Sequence, residues 1–215
     1  MKTKGKYYAV TDIKILQFLL HSRVTAMSMH WVFQNMLNMD ITELSFKLGI
    51  DILLTMIFSI LLANWLPLVS AILLSFLLAH TINFLFNGQI FVVLKHFGDV
   101  THELSEFGQY INEIRGRLRL EPSIRWAAVY GSMTRGELKT TSDLDIRLIR
   151  HPGLSNGIRA CWFILLERTR AHLKRFPVDF LVWDSPRLLK RMRPDEPPLV
   201  IYEDSLDLSQ EPVAQ

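Results

Sequence analysis

The stretch Trp126-Ala127-Ala128-Val129-Tyr130-Gly131-Ser132-Met133-Thr134-Arg135-Gly136, with Ser142-Asp143-Leu144-Asp145-Ile146-Arg147-Leu148-Ile149 close behind it, decides how the chain is read. One apolar run enters a glycine turn, and a second, broken only by Arg147, leaves it. The order predicted is strand, tight turn, short helix, strand. Side chains alternate along a strand, so Asp143 and Asp145 share a face. Two carboxylates that close repel each other unless something cationic lies between them. Magnesium suits that place, because it prefers oxygen ligands and keeps substrate phosphates among them. Gly131 lets the backbone turn sharply and approach a ligand closely. Ser132 is expected to open a helix, with a hydroxyl and free amides aimed at an anion. A phosphate chain held there could bridge to metals on Asp143 and Asp145, the arrangement of two-metal phosphoryl or nucleotidyl transfer.

Such a site needs one more carboxylate. Further along, Pro177-Val178-Asp179-Phe180-Leu181-Val182-Trp183 reads as a short strand with an acid inside it. An aspartate among valine, phenylalanine and leucine calls for a cationic partner. Beside the Asp143–Asp145 strand, Asp179 could hold one metal and deprotonate an attacking hydroxyl.

The string GSMTRGELKTTSDLDIRL resembles the Gly-Ser, Arg-Gly, Ser-Asp-x-Asp pattern of the DNA polymerase beta-like nucleotidyltransferase superfamily, in its minimal form, and Val178-Asp179-Phe180 resembles that family's third-acid strand. The resemblance covers roughly residues 100–203. It implies an α/β (α+β) core with a small mixed sheet and flanking helices. It implies magnesium-dependent transfer of a nucleoside monophosphate from a triphosphate, ATP being the first choice, to an acceptor hydroxyl. By that likeness Gly131 and Ser132 hold the triphosphate and Asp143, Asp145 and Asp179 are the catalytic and metal-holding acids. Arg135 and Ser142 match the nucleotide-binding part of the pattern. Two plainer readings stand beside it: a surface turn followed by a strand with solvated acids, and a retained fold whose site is silent.

Composition adds a second theme. The net charge is +3 in 215 residues, too mild to argue for nucleic acid. The single cysteine, Cys161, excludes an intrachain disulfide and reads as a core thiol. The mean hydropathy of +0.19 is high for a soluble enzyme. From Ile52 to Leu94 no Asp, Glu, Lys or Arg occurs, a run of about 43 residues. Pro67 breaks it, so two transmembrane helices are expected, at about 49–65 and 68–87, as an all-α hairpin. A buried hairpin of a soluble protein is the rival. Arg23 and Lys47 precede the pair and Lys95 follows it, while the connecting turn is uncharged. The positive-inside rule then puts both ends, and the following domain, in the cytoplasm. The polar residues His80, Asn83 and Asn87 recur at helical spacing, first as helix–helix hydrogen bonders.

The expected organisation is a helical membrane region over 1–97, a nucleotidyltransferase domain over 98–203 and a loose tail over 204–215. Lys2, Lys4 and Lys6 open the chain without a signal-peptide cleavage pattern. Residues 12–39 suit an amphipathic helix with Leu16, Leu20, Met27 and Trp31 on one face, lying at a membrane surface or packed on its own domain. Thr101 to Leu118 reads as a helix with Leu104, Phe107, Ile111, Ile114 and Leu118 inward. Another runs to about Arg175 with Ile158, Trp162, Leu165, Thr169 and Leu173 inward. Its other face carries Arg159, Arg168, Arg170, Lys174 and Arg175, a solvated face or one for anionic headgroups. The function expected is a multi-pass membrane nucleotidyltransferase with a lipid- or glycan-linked or protein acceptor. Its alternative is a silent nucleotide-binding scaffold or regulatory subunit. Homo-oligomers stay open, and nucleic acid is disfavoured because no aromatic interleaving suggests stacked bases.

Overall fold

The alternation around Gly131 folds as the spacing predicts. In a computed structural model, which describes residues 23–87, 90–94 and 100–204, strand β1 runs Ile124–Tyr130 and β2 runs Leu144–Arg150. They pair antiparallel, with Tyr130 opposite Asp145 and Val129 opposite Ile146. Strand β3, Val178–Trp183, lies parallel to β2, and β4, Leu199–Glu203, lies antiparallel to β1. The mixed sheet has the order β3-β2-β1-β4.

A parallel neighbour needs a crossover. Helix α6, Leu154–Leu173, supplies it between β2 and β3. With α5, Leu104–Leu118, it covers one face of the sheet. Phe107, Ile111, Ile114, Leu118, Cys161 and Ile164 bury there against Ala127, Val129, Ile146, Leu148, Phe180 and Val182. Leu104 of the expected α5 stripe is instead exposed. On α6 the inward face is Gly157, Ala160, Cys161, Ile164, Arg168 and Ala171, whereas Ile158, Trp162 and Leu173, expected inward, face outward. Phasing on Ile158, Trp162 and Leu173 misses this face because much of it is small: Gly157, Ala160, Cys161 and Ala171 pack beside Phe163 and Ile164.

The other sheet face holds Trp126, Ala128, Tyr130, Ile149, Leu181 and Trp183, with Met39 packed against them. Met39 sits between two helices that precede the sheet. Helix α1, Arg23–Phe33, ends where Gln34 and Asn35 turn left-handed, at φ 44 and 62. The helix expected across 12–39 therefore stops there, and its Leu16 and Leu20 lie outside the described residues. Helix α2 then runs Ile41–Leu62, with the Asp40 side chain accepting from the Glu43 N–H as an N-cap. That start is eight residues earlier than the expected 49, and Glu43, Lys47 and Asp51 fall inside the helix, buried. Helix α3 runs Leu68–Asn87 as expected, after a turn ended by Pro67. A short helix α4 covers Ile90–Leu94.

Both α2 and α3 are long and apolar enough to cross a membrane. From Ile52 to Leu78 their large apolar side chains, among them Leu53, Ile60, Trp65, Val69 and Leu73, are mostly exposed. Nearer the sheet, the two helices are joined by polar groups. His80 Nδ1 lies 2.9 Å from Asp51, and the Asn83 amide donates to Asp51 and to the Lys47 carbonyl. Lys47 Nζ donates to the carbonyls of Gln34 and Asn87. The expected helix–helix role of His80, Asn83 and Asn87 is thus observed. Arg168 of α6 joins the network, pairing with Glu43 at 2.5 Å and with Asn87 at 2.6 Å.

The same Glu43–Arg168 pair closes the open edge of β3. Glu43 Oε2 accepts from the Val182 N–H at 3.2 Å, and Arg168 donates to the Phe180 carbonyl at 2.5 Å. An edge strand left bare invites foreign pairing. Here a buried ion pair occupies it, so the hairpin base and the sheet are one packed unit.

Candidate functional site

Three acids converge on the sheet face opposite α5 and α6. Asp145 stands in register with Asp179 on the parallel neighbour β3 and with Tyr130 on β1. Adjacent strands are about 4.8 Å apart, so Asp145 and Asp179 are lateral neighbours. Asp143 stands two residues before Asp145, just ahead of β2, as the alternation requires.

One guanidinium links them. Arg147, next on the same face, donates to Asp179 Oδ2 at 2.9 Å and to the Asp179 carbonyl, and lies 3.5 Å from Asp145 Oδ1. Burial alone would lower its pKa, but the charges of Asp179, Asp145 and Asp143 outweigh that and hold it above the usual arginine value. Asp179 Oδ1 accepts from Asn35 at 3.3 Å. His30 of α1 also feels Asp179; burial lowers its pKa, and the carboxylate opposes that shift. Tyr130 is raised by burial, against a lowering by Arg147.

The turn approaches from the other side. Gly131 has φ +82, and a Cβ built there would collide with Asp145 Oδ2. Only glycine gives both that conformation and that clearance. Residues 131–136 form a run of turns, not the short helix expected after Ser132. The Arg135 N–H reaches the Gly131 carbonyl, Thr134 Oγ1 donates to that same carbonyl, and Gly136, at φ +69, ends the turn. Ser132 Oγ is buried and has no hydrogen-bond partner. A buried hydroxyl without a partner is costly unless something arrives to meet it.

Gly131, Ser132, Asp143, Asp145 and Asp179 are therefore clustered. Arg135 and Ser142 are engaged otherwise. Arg135 pairs with Glu196 and with Glu137, and Ser142 accepts from the Lys139 N–H to close its own loop. No local pattern points to Asn35 and His30, which lie more than a hundred residues upstream of the acids. Arg147 was visible as the break in an apolar strand.

Magnesium fits part of this donor set. Asp143 and Asp145 offer hard oxygens beside a turn with an unmet hydroxyl. Asp179 fits only if Arg147 shifts, because the guanidinium already neutralises it. Among the described residues no group of three His, Cys, Asp or Glu side chains is close enough to hold an ion. No protein-family model, curated protein or solved structure matches the chain.

Proposed function

We propose that the chain is a membrane-anchored, magnesium-dependent nucleotidyltransferase. The observation that supports this is the convergence of Asp143, Asp145 and Asp179 on one guanidinium, beside a glycine turn that abuts Asp145. In this reading Ser132 and the amides of the Gly131–Gly136 turn bind the triphosphate tail of ATP or another nucleoside triphosphate. Asp143 and Asp145 hold magnesium, which when bound neutralises phosphate charge. Asp179 takes the proton of the acceptor hydroxyl, as Arg147 moves from it toward the triphosphate. The acceptor oxygen bonds to the α-phosphorus, and the bond to the bridging oxygen breaks. Pyrophosphate leaves with that electron pair. Positioning and charge neutralisation carry most of such a barrier. The α2–α3 hairpin is the anchor, with both ends on the cytoplasmic side. The acceptor is a lipid- or glycan-linked hydroxyl, or a protein one.

A second reading is favoured by one observation. Arg147 already fills the gap between Asp145 and Asp179. A silent nucleotide-binding scaffold would keep it there. Membranes containing the protein, incubated with each α-labelled triphosphate and magnesium, separate the two. Transfer of label with pyrophosphate release, lost by on the order of a hundredfold or more in Asp143→Asn and Asp145→Asn, supports the enzyme. Magnesium-dependent triphosphate binding without pyrophosphate release supports the scaffold, and activity retained in the double variant rules out the site.

A further inference from the structure

Helix α6 carries an apolar face that the sheet does not use. Leu154, Ile158, Trp162, Leu166 and Leu173 are all exposed, from 45% for Ile158 to 76% for Leu154. By the 3.6-residue period they fall on one side of the helix. We propose that this face is a second membrane contact, lying in the boundary between headgroups and acyl chains of an anionic bilayer, beside the hairpin.

Three observations carry it. The face is continuous with the hairpin: the Trp162 ring meets Phe46 of α2 edge-on, with centroids 5.4 Å apart. Phe46 lies between the exposed Ile41 and Leu48 of α2, just ahead of the run of exposed apolar side chains from Ile52 onward. A tryptophan at that depth is where an amphipathic ring settles in a bilayer.

The order of residues around α6 is the second. Arg168 and His172 turn toward the hairpin, through Asn87 and Phe86. The apolar face follows. Exposed Arg159 and Arg170 come next, on the flank away from the hairpin, before the helix turns to the sheet. Apolar groups toward the hairpin and cations on the outer flank are what an interfacial helix presents to acyl chains and phosphates.

Charge is the third. Between Leu154 and Arg175 the one acid is Glu167, which is fully buried. Arg159, Arg170 and Lys174 have acidic neighbours in Glu121, Glu167 and Glu113, but Arg159, Arg170, Lys174 and Arg175 all stay exposed. A second copy of the chain is the competing occupant. Two-fold pairing of α6 on itself would bring these cations together, whereas anionic lipid receives them.

The consequence is geometric. A hairpin alone leaves the packed unit of hairpin base and sheet free to tilt as one body in the bilayer. A second contact on α6 fixes the sheet, and with it the acid cluster, at one height and tilt above the bilayer.

The test uses the full chain in a Cys161→Ser background, with an environment-sensitive label on Leu166→Cys and reconstitution into vesicles with and without phosphatidylglycerol. Leu73→Cys in the hairpin and Glu137→Cys on the exposed loop are the reference positions. In anionic vesicles the label at 166 should be quenched by shallow lipid nitroxides and should react with aqueous iodide about tenfold less than the label at 137. Protection should weaken in Arg159→Gln/Arg170→Gln and in neutral vesicles. Iodide access at 166 equal to that at 137, with 73 still shielded, overturns the α6 contact and leaves the hairpin anchored. Access at all three overturns membrane insertion altogether. Shielding at 166 that persists in dilute detergent and comes with 166–166 cross-links assigns the face to a second copy.

Discussion

The chain builds two clusters of carboxylates and cations and finishes them differently. At the hairpin base, Glu43, Lys47, Asp51 and Arg168 are buried and each is paired with a side chain or a backbone carbonyl, although Arg168 Nε has no partner of its own. At the end of the sheet, Asp145 and Asp179 are part-exposed, Ser132 keeps a buried hydroxyl without a partner, and the Asp145 carboxylate lies against Gly131 where a Cβ would stand. A cluster closed on itself holds a fold together. A cluster that stays part-exposed is one a ligand can reach. The difference teaches that ionisable residues in the apolar half of this chain mark structure, while those beside the glycine turn stay accessible, as the proposed function requires.

The strongest way to break that comparison is to remove one partner from each cluster. Arg168→Met leaves Glu43 buried without its guanidinium and opens the β3 edge, and should cost about 3–5 kcal/mol. The double variant Glu43→Leu/Arg168→Met should be milder, since no lone charge stays buried. Asp145→Asn should change stability by no more than about 1 kcal/mol, because the buried Arg147 keeps its closer ion pair with Asp179. Urea unfolding in micelles, followed by tryptophan fluorescence, reads all three. An Asp145→Asn as damaging as Arg168→Met would make the acid cluster structural.

A smaller effect sharpens the same contrast at the turn. Gly131 and Gly136 both have positive φ, but only at Gly131 does a Cβ meet anything. Gly136→Ala should cost about 1 kcal/mol of backbone strain and keep nucleotide binding. Gly131→Ala adds the collision with Asp145, for a total of about 1–3 kcal/mol, and should abolish triphosphate binding. Calorimetric titration with a non-hydrolysable triphosphate distinguishes them; equal binding by both variants removes Gly131 from the site.

What was legible in the sequence follows from range. The strands around Gly131, the Asp143–Asp145 alternation and the break at Pro67 are local patterns, and each is where the spacing places it. The start of α2 was misjudged because Glu43, Lys47 and Asp51 look like a charged flank, and only partners from α1, α3 and α6 let them enter a buried helix face. Arg168 was taken for one of a solvated row for the same reason. On α6 Ile158, Trp162 and Leu173 point outward while small residues share the inward face with Phe163 and Ile164, so the large residues alone do not phase the helix. At the site, five of the seven expected residues cluster, while Arg135 pairs with Glu137 and the distant Glu196, and Ser142 closes its own loop. His30 and Asn35 reach the acids from a helix end whose left-handed residues, Gln34 and Asn35, carry no strong turn signature.

The smallest expected effect asks whether α1 closes over the acids as described. Burial lowers the His30 pKa, so the folded protein binds that proton less readily than the unfolded chain, whose His pKa is about 6.5. This group's contribution is therefore complete above about pH 6.5 and is lost as pH falls through that value toward the folded pKa. His30→Gln should flatten the decline of stability in that acid window and leave it unchanged at pH 8. Asp179 partly offsets the burial, so Asp179→Asn should drive the His30 pKa lower still, read from its ring protons by NMR. A His30 pKa indifferent to Asp179 would detach α1 from the acid cluster, and with it the physical link between the hairpin and the site.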